Sequence, residues 1–86
     1  MTKRSITVRL EDGLDARPIA MLVQIASRHE SSIHLVAEGK KVNAKSIMGM
    51  MSMALSQGET VTIVAEGSDE KEAVEHISDY LSGKAE

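Results

Sequence analysis

"IHLVAEGKKVNAKSIMGMMSMALSQG", residues 33 to 58, contains two periodicities joined by one turn. Ile33, Leu35 and Ala37 alternate along the chain, as the buried face of a strand does. Glu38-Gly39-Lys40 is a glycine turn leading into a short segment at Lys41 to Asn43, so a β-hairpin is expected here. From Ser46 the pattern changes. A serine in N-cap position precedes an apolar run from Ile47 to Leu55, which Gln57-Gly58 closes like a helix C-terminus. A hairpin followed directly by a helix argues for an antiparallel sheet rather than a chain of parallel βαβ units.

The flanking segments extend this reading in both directions. Upstream, Ile6, Val8 and Leu10 alternate with Thr7, Arg9 and Glu11 as a half-buried strand, and Asp12-Gly13 marks a turn. From Pro18, Ile19, Leu22, Val23 and Ile25-Ala26 recur at helical spacing until Arg28-His29. Downstream, Val61, Ile63 and Ala65 share one face of a strand that Gly67 ends. Ser68-Asp69 opens a last helix with an apolar stripe of Ala73, Val74, Ile77 and Leu81, and Glu72 stands at capping-box distance from Asp69. The order is βαββαβα, an α+β arrangement with helices on one face of a mainly antiparallel sheet and the other face wet. The tail after Gly83 is expected to fray.

Composition sets limits on function. The 86 residues suit one domain, residues 1–86, with one modest core. There is no cysteine, which excludes a disulfide framework, a thiolate nucleophile and cysteine-ligated metal, and fits a cytoplasmic setting. No segment reads as a leader peptide or a membrane span, so no membrane association is expected. The net charge is −3, with one tyrosine and no Phe or Trp, which argues against direct nucleic-acid binding. The charge is uneven. Residues 1 to 56 carry eight Lys/Arg and five Asp/Glu, whereas residues 57 to 86 carry two and eight.

"GLDARPIA", residues 13 to 20, sets Asp15, Arg17 and Pro18 at the entrance of the first helix. Pro18 has no N–H and disfavours a helical Arg17, so the helix is expected to begin there with Asp15 just outside it. An aspartate is favoured at such an end by about 0.3 to 1 kcal/mol through free N–H groups and the helix dipole. Arg17 is expected to pair loosely with Asp15 or to dock an acidic partner. In the second helix, a lean of Ile47, Met50, Met51, Ala54 and Leu55 toward the core leaves Met48 and Ser52 facing out. His29, His34 and His76 form no metal-ligand spacing and accompany no nucleophile with an orienting acid, so they are expected to be surface or half-buried histidines. The glutamates of the last helix read as a solvated face.

These stretches carry a resemblance. "GLDARPIA" with "KKVNAKSIMGMMSMALSQG" resembles the HPr family, small phosphocarriers of the bacterial sugar phosphotransferase system, along nearly the whole chain. The resemblance implies an open-faced β-sandwich of four antiparallel strands with three helices on one face. It also implies two phosphorylation sites. One is a carrier histidine in a Gly-x-His-Ala-Arg-Pro motif, charged by enzyme I from phosphoenolpyruvate. The other is the serine opening the second helix, here Ser46, modified by HPr kinase/phosphorylase and ATP.

The sequence departs from the family at the carrier position, which Asp15 occupies. Loss of the histidine with the serine motif retained is similar to the Crh group of the family, the catabolite-repression HPr proteins, which typically carry glutamine there. The implied function is regulatory and non-enzymatic: Ser46 is phosphorylated, and the protein becomes a corepressor for a LacI-type transcription factor, catabolite control protein A. The residues implied in binding are Asp15, Arg17, Ala20, Met21, Ser46, Ile47, Met48 and Met51, with no metal and no cofactor. One alternative is a phosphocarrier, through an acyl phosphate on Asp15 or as an HPr substituted at residue 15, with enzyme I as partner. Another is a kinase target that titrates the modifying enzyme or another metabolic protein.

Overall fold

The computed structural model describes residues 1–10, 16–53 and 55–83. Its elements run β1 (Thr2–Thr7), α1 (Ala16–Ser27), β2 (Ser32–Ala37), β3 (Lys40–Asn43), α2 (Ile47–Met51), β4 (Thr60–Glu66) and α3 (Glu70–Leu81). The sheet has four strands in the order β1-β4-β2-β3, and every neighbouring pair is antiparallel. This is the expected α+β order βαββαβα.

Alternation decides the faces. Ile33, Leu35 and Ala37 of β2 and Val61, Ile63 and Ala65 of β4 point into the core, while His34, Val36, Thr62 and Val64 lie half-buried between them on the other face. Against the inner face pack Ile19, Leu22 and Ala26 of α1 and Ala73, Val74, Ile77 and Leu81 of α3. The β2–β3 connection is tight because Glu38 (φ 51°) and Gly39 (φ 76°) both adopt left-handed backbone, the pair of conformations that matches the twist of a two-residue hairpin.

Several expectations are corrected. The first strand covers Thr2–Thr7, not Ile6 to Leu10, because β4 provides a partner as far as Thr2 opposite Ala65. Past Thr7, Val8 N–H still donates to the Glu59 carbonyl and Gly58 N–H to the Val8 carbonyl, each at 2.8 Å, so Val8 remains inward and fully buried. The first helix begins at Ala16, ahead of Pro18. The second helix is five residues long and ends at Met51. Met50, Met53 and Leu55 are all buried, a spacing of three and then two that one helical face cannot supply. The chain therefore leaves the helix, with Ser52 Oγ donating back to the Gly49 carbonyl at 2.6 Å and Lys40 Nζ to the Ser52 carbonyl at 3.0 Å. Ile47 and Met51, expected to lean inward, are exposed. Ala54, the position of Asp15 and the tail from residue 84 lie outside the described residues.

The capping box is also absent. Asp69 is the N-cap of α3, but its carboxylate makes no cap hydrogen bond. Glu70 instead accepts from Gly67 N–H at 3.2 Å and from Thr2 Oγ1 at 2.5 Å, and pairs with the Met1 ammonium at 2.9 Å. These bonds hold the Glu70 carboxyl at about 2, with the Thr2 hydroxyl as the largest cause. Glu70 thus ties the start of α3 to edge strand β1.

Candidate phosphorylation and docking site

The loop from β3 into α2 is built by short-range hydrogen bonds. Asn43 Oδ1 accepts from Lys45 N–H at 2.8 Å, and the Asn43 carbonyl accepts from Ser46 N–H at 3.0 Å, forming a side-chain-closed turn. Ser46 then sits at the N-cap in extended backbone, φ −109° and ψ 116°, and its Oγ accepts from Gly49 N–H at 3.1 Å. Ser46 is half-buried, and its hydroxyl is held in place by that bond. Lys45 does not lie free beside it. Its ammonium reaches back to the His29 carbonyl at 2.7 Å.

Around Ser46 the surface is unusually apolar. Apart from Met1, the exposed large hydrophobic side chains among the described residues are Met21 at 40%, Ile47 at 51%, Met48 at 85% and Met51 at 58%. All four stand on α1 and α2, which pack against each other, and Arg17 and Ala20 are exposed on α1 as well. Ile47, Met48 and Met51 follow Ser46 in α2, while Arg17, Ala20 and Met21 stand on α1. Arg17, Ala20, Met21, Ser46, Ile47, Met48 and Met51 are thus placed on two neighbouring helices. Asp15 lies outside the described residues, and with it the expected pairing to Arg17.

The sequence reading missed a second cluster. His29 is not a surface histidine: it is buried, and its Nδ1 meets Asp69 Oδ2 at 2.9 Å. Asp69 also accepts from Glu30 N–H at 3.2 Å, from Ser31 N–H at 3.0 Å and from the Ser31 hydroxyl. With Ser31 as the largest cause and His29 and the two N–H groups adding to it, the Asp69 carboxyl is held well below the usual carboxylate range despite opposing desolvation. On its other side, His29 Nε2 lies 2.9 Å from Nδ1 of the exposed His76. Beside this pair a cleft of about 330 Å³ opens between α1 and α3, lined by Met21, Ile25, Arg28, His76, Asp79 and Tyr80. The only local sequence signal was Asp69 before a helix, which suggested a cap. Its partners lie 38 to 40 residues away and are joined to it only by the fold.

Among the described residues, no three or more His, Asp or Glu side chains form a group that could hold a metal ion, and no helix is long and apolar enough to cross a membrane. A family model described as "PTS HPr component phosphorylation site" matches residues 2–82. The chain is 52% identical to the HPr-like protein Crh of Bacillus subtilis over 81 residues, 94% of this chain and 95% of that one. Its fold matches the crystal structure of an HPr from Thermoanaerobacter tengcongensis with a TM-score of 0.92 at 46% identity, covering 98% of this chain and 94% of the other. It also matches the crystal structure of B. subtilis Crh, a domain-swapped dimer, with a TM-score of 0.80 at 49% identity, covering 100% and 99%. Proteins of this group are phosphocarriers and HPr-like proteins rather than enzymes. The matched family model, the βαββαβα sandwich and the Ser46 helix entrance lead to one conclusion: the chain belongs to the HPr family and is a Crh-like member of it.

Proposed function

We propose that this chain is a cytoplasmic regulator of carbon catabolite repression, a single HPr-like domain over residues 1–86, phosphorylated on Ser46 by HPr kinase/phosphorylase. In that state it acts as corepressor of a LacI-type regulator, catabolite control protein A. The observation that carries the reading is the conjunction at α2 of a half-buried serine with a fixed hydroxyl and the exposed side chains Ile47, Met48 and Met51.

The mechanism follows from what phosphate adds. A phosphoryl group on Ser46 Oγ brings about −1.5 to −2 charge and three acceptor oxygens. A five-residue helix contributes little dipole, and Lys45 is engaged with the His29 carbonyl, so much of the new charge is offered to a partner. Basic side chains of the repressor receive it, while the methionine surface and Arg17 provide apolar contact and register. Asp15, at the family's carrier position, takes no part in phosphoryl relay from enzyme I.

The decisive experiment is intact-mass analysis with site mapping after two incubations, one with HPr kinase/phosphorylase and ATP, the other with enzyme I and phosphoenolpyruvate. Phosphate on Ser46 in the first alone is the expected result. Phosphate on Asp15 in the second instead supports the carrier reading. A repressor-binding assay on the phosphorylated protein then separates the corepressor from a kinase target of another kind: no gain in affinity over the unmodified chain rejects the corepressor role.

A further inference from the structure

We infer that His29 and His76 form a chelating pair for a late first-row divalent cation, with Cu²⁺ the best fit, and that Asp69 is the outer carboxylate orienting the inner ring. The two residues are 47 positions apart, and the fold brings them together at the mouth of the α1/α3 cleft.

The geometry begins with the tautomer. The Asp69 carboxylate already accepts from Glu30 N–H, Ser31 N–H and the Ser31 hydroxyl, so it faces His29 as an acceptor too, and His29 Nδ1 carries the proton of their 2.9 Å contact. His29 Nε2 then presents a lone pair, and the buried ring, 7% exposed, is held in one orientation. A carboxylate on the far nitrogen of an imidazole is the usual outer support of a histidine ligand. The second nitrogen, His76 Nδ1, stands 2.9 Å away on an exposed residue whose ring is held by that contact alone among the described hydrogen bonds. The observed 2.9 Å is the length of the hydrogen bond between the two rings, whose centroids stand 5.0 Å apart, so the exposed His76 ring must turn for both lone pairs to meet at one ion, and the preference for Cu²⁺ over Zn²⁺ rests on the affinity order of nitrogen ligands.

Without metal, one proton bridges the two nitrogens. A cation takes its place when the His76 proton sits on Nε2 instead, so no proton need be lost, and the charge of the ion is left to the water of the cleft and the carboxylates near His76. Glu72 and Asp79, four residues before and three after His76, lie on its strip of α3 and raise the local cation concentration, against the opposing charge of Arg28 at the cleft. No third protein ligand completes the set among the described residues, so the remaining positions belong to water from the cleft. Nothing in the latch between Asp69, Ser31 and His29 requires an imidazole at position 76.

The test is a titration of the full chain with Cu²⁺ alone, followed by calorimetry, thermal melting and the broadening of backbone NMR signals. One ion per chain with a micromolar dissociation constant, broadening centred on residues 28 to 31 and 72 to 80, and weaker Zn²⁺ binding are expected. His76→Gln, at an exposed position, should still melt cooperatively, bind about tenfold or more weakly and lose the Cu²⁺-induced rise in melting temperature, while His34→Gln on the open face should change affinity less than twofold. The inference is overturned by the absence of saturable binding, by a His76→Gln affinity within twofold of the parent, or by broadening centred on the Met1 ammonium.

Discussion

Ser46 has a structural duty and a proposed chemical one, and substitutions separate them. Ser46→Ala removes the bond to Gly49 N–H and should cost about 0.5 to 2 kcal/mol in chemical denaturation, together with all kinase-dependent phosphate. Ser46→Asp keeps a capping oxygen, so its stability should lie within a few tenths of a kcal/mol of the parent. Its single charge should reproduce little of the phosphorylated state's repressor affinity. Gly67 tolerates less. With φ at 153° and the position of a β-carbon only 2.6 to 2.9 Å from Ser31 atoms, Gly67→Ala must push the α1–β2 connection away from the β4–α3 turn. A loss on the order of 1 to 3 kcal/mol is expected; an unchanged melting temperature would refute that reading.

Helix α2 illustrates which features could be read from sequence. Its beginning was visible, since a serine before an apolar run is a local signal, and so were the hairpin, both long helices and the alternation of β4. Its end was not. Every residue from Ile47 to Leu55 except Gly49 and Ser52 is apolar, so periodicity could not distinguish a helix from a turn that sends Met53 and Leu55 inward. Met51 was assigned inward and is exposed for the same reason, whereas Met48 outward and Met50 inward stand as expected. The prediction at this scale is a contrast between neighbours: Met50→Ala should cost about 2 to 5 kcal/mol, and Met48→Ala within about 0.5 kcal/mol of nothing. Met48→Ala should nevertheless weaken repressor binding by the phosphorylated chain, as measured by titration of a labelled operator complex. The Asp69, His29 and His76 cluster was illegible for a different reason: it depends on tertiary contacts, and its members lie in separate segments.

Across the whole molecule, two ionised carboxylates join distant parts of the chain at the start of α3. Asp69 holds the α1–β2 connection, and Glu70 holds β1 and the amino terminus. Both have lower pKa values folded than unfolded, so their contribution is complete above the ordinary carboxylate range near pH 4. It declines as pH falls through about 2 for Glu70, and lower still for Asp69. The melting temperature should therefore drop steeply between pH 4 and 2, and the deficit of Asp69→Asn relative to the parent should be large at pH 7 and shrink in acid. A deficit that stays constant with pH would assign Asp69 to packing alone.

The near absence of aromatic residues also makes the molecule its own reporter. With three histidines, one tyrosine and no Phe or Trp, the aromatic window of a proton NMR spectrum recorded after full exchange into D₂O holds only His29, His34, His76 and Tyr80. The Lys45 ammonium joins the residue next to Ser46 to the His29 carbonyl, and His29 touches His76. Events at the serine can thus be followed without any label as displacements of two isolated imidazole lines, with the His34 line on the opposite face of the sheet as internal reference.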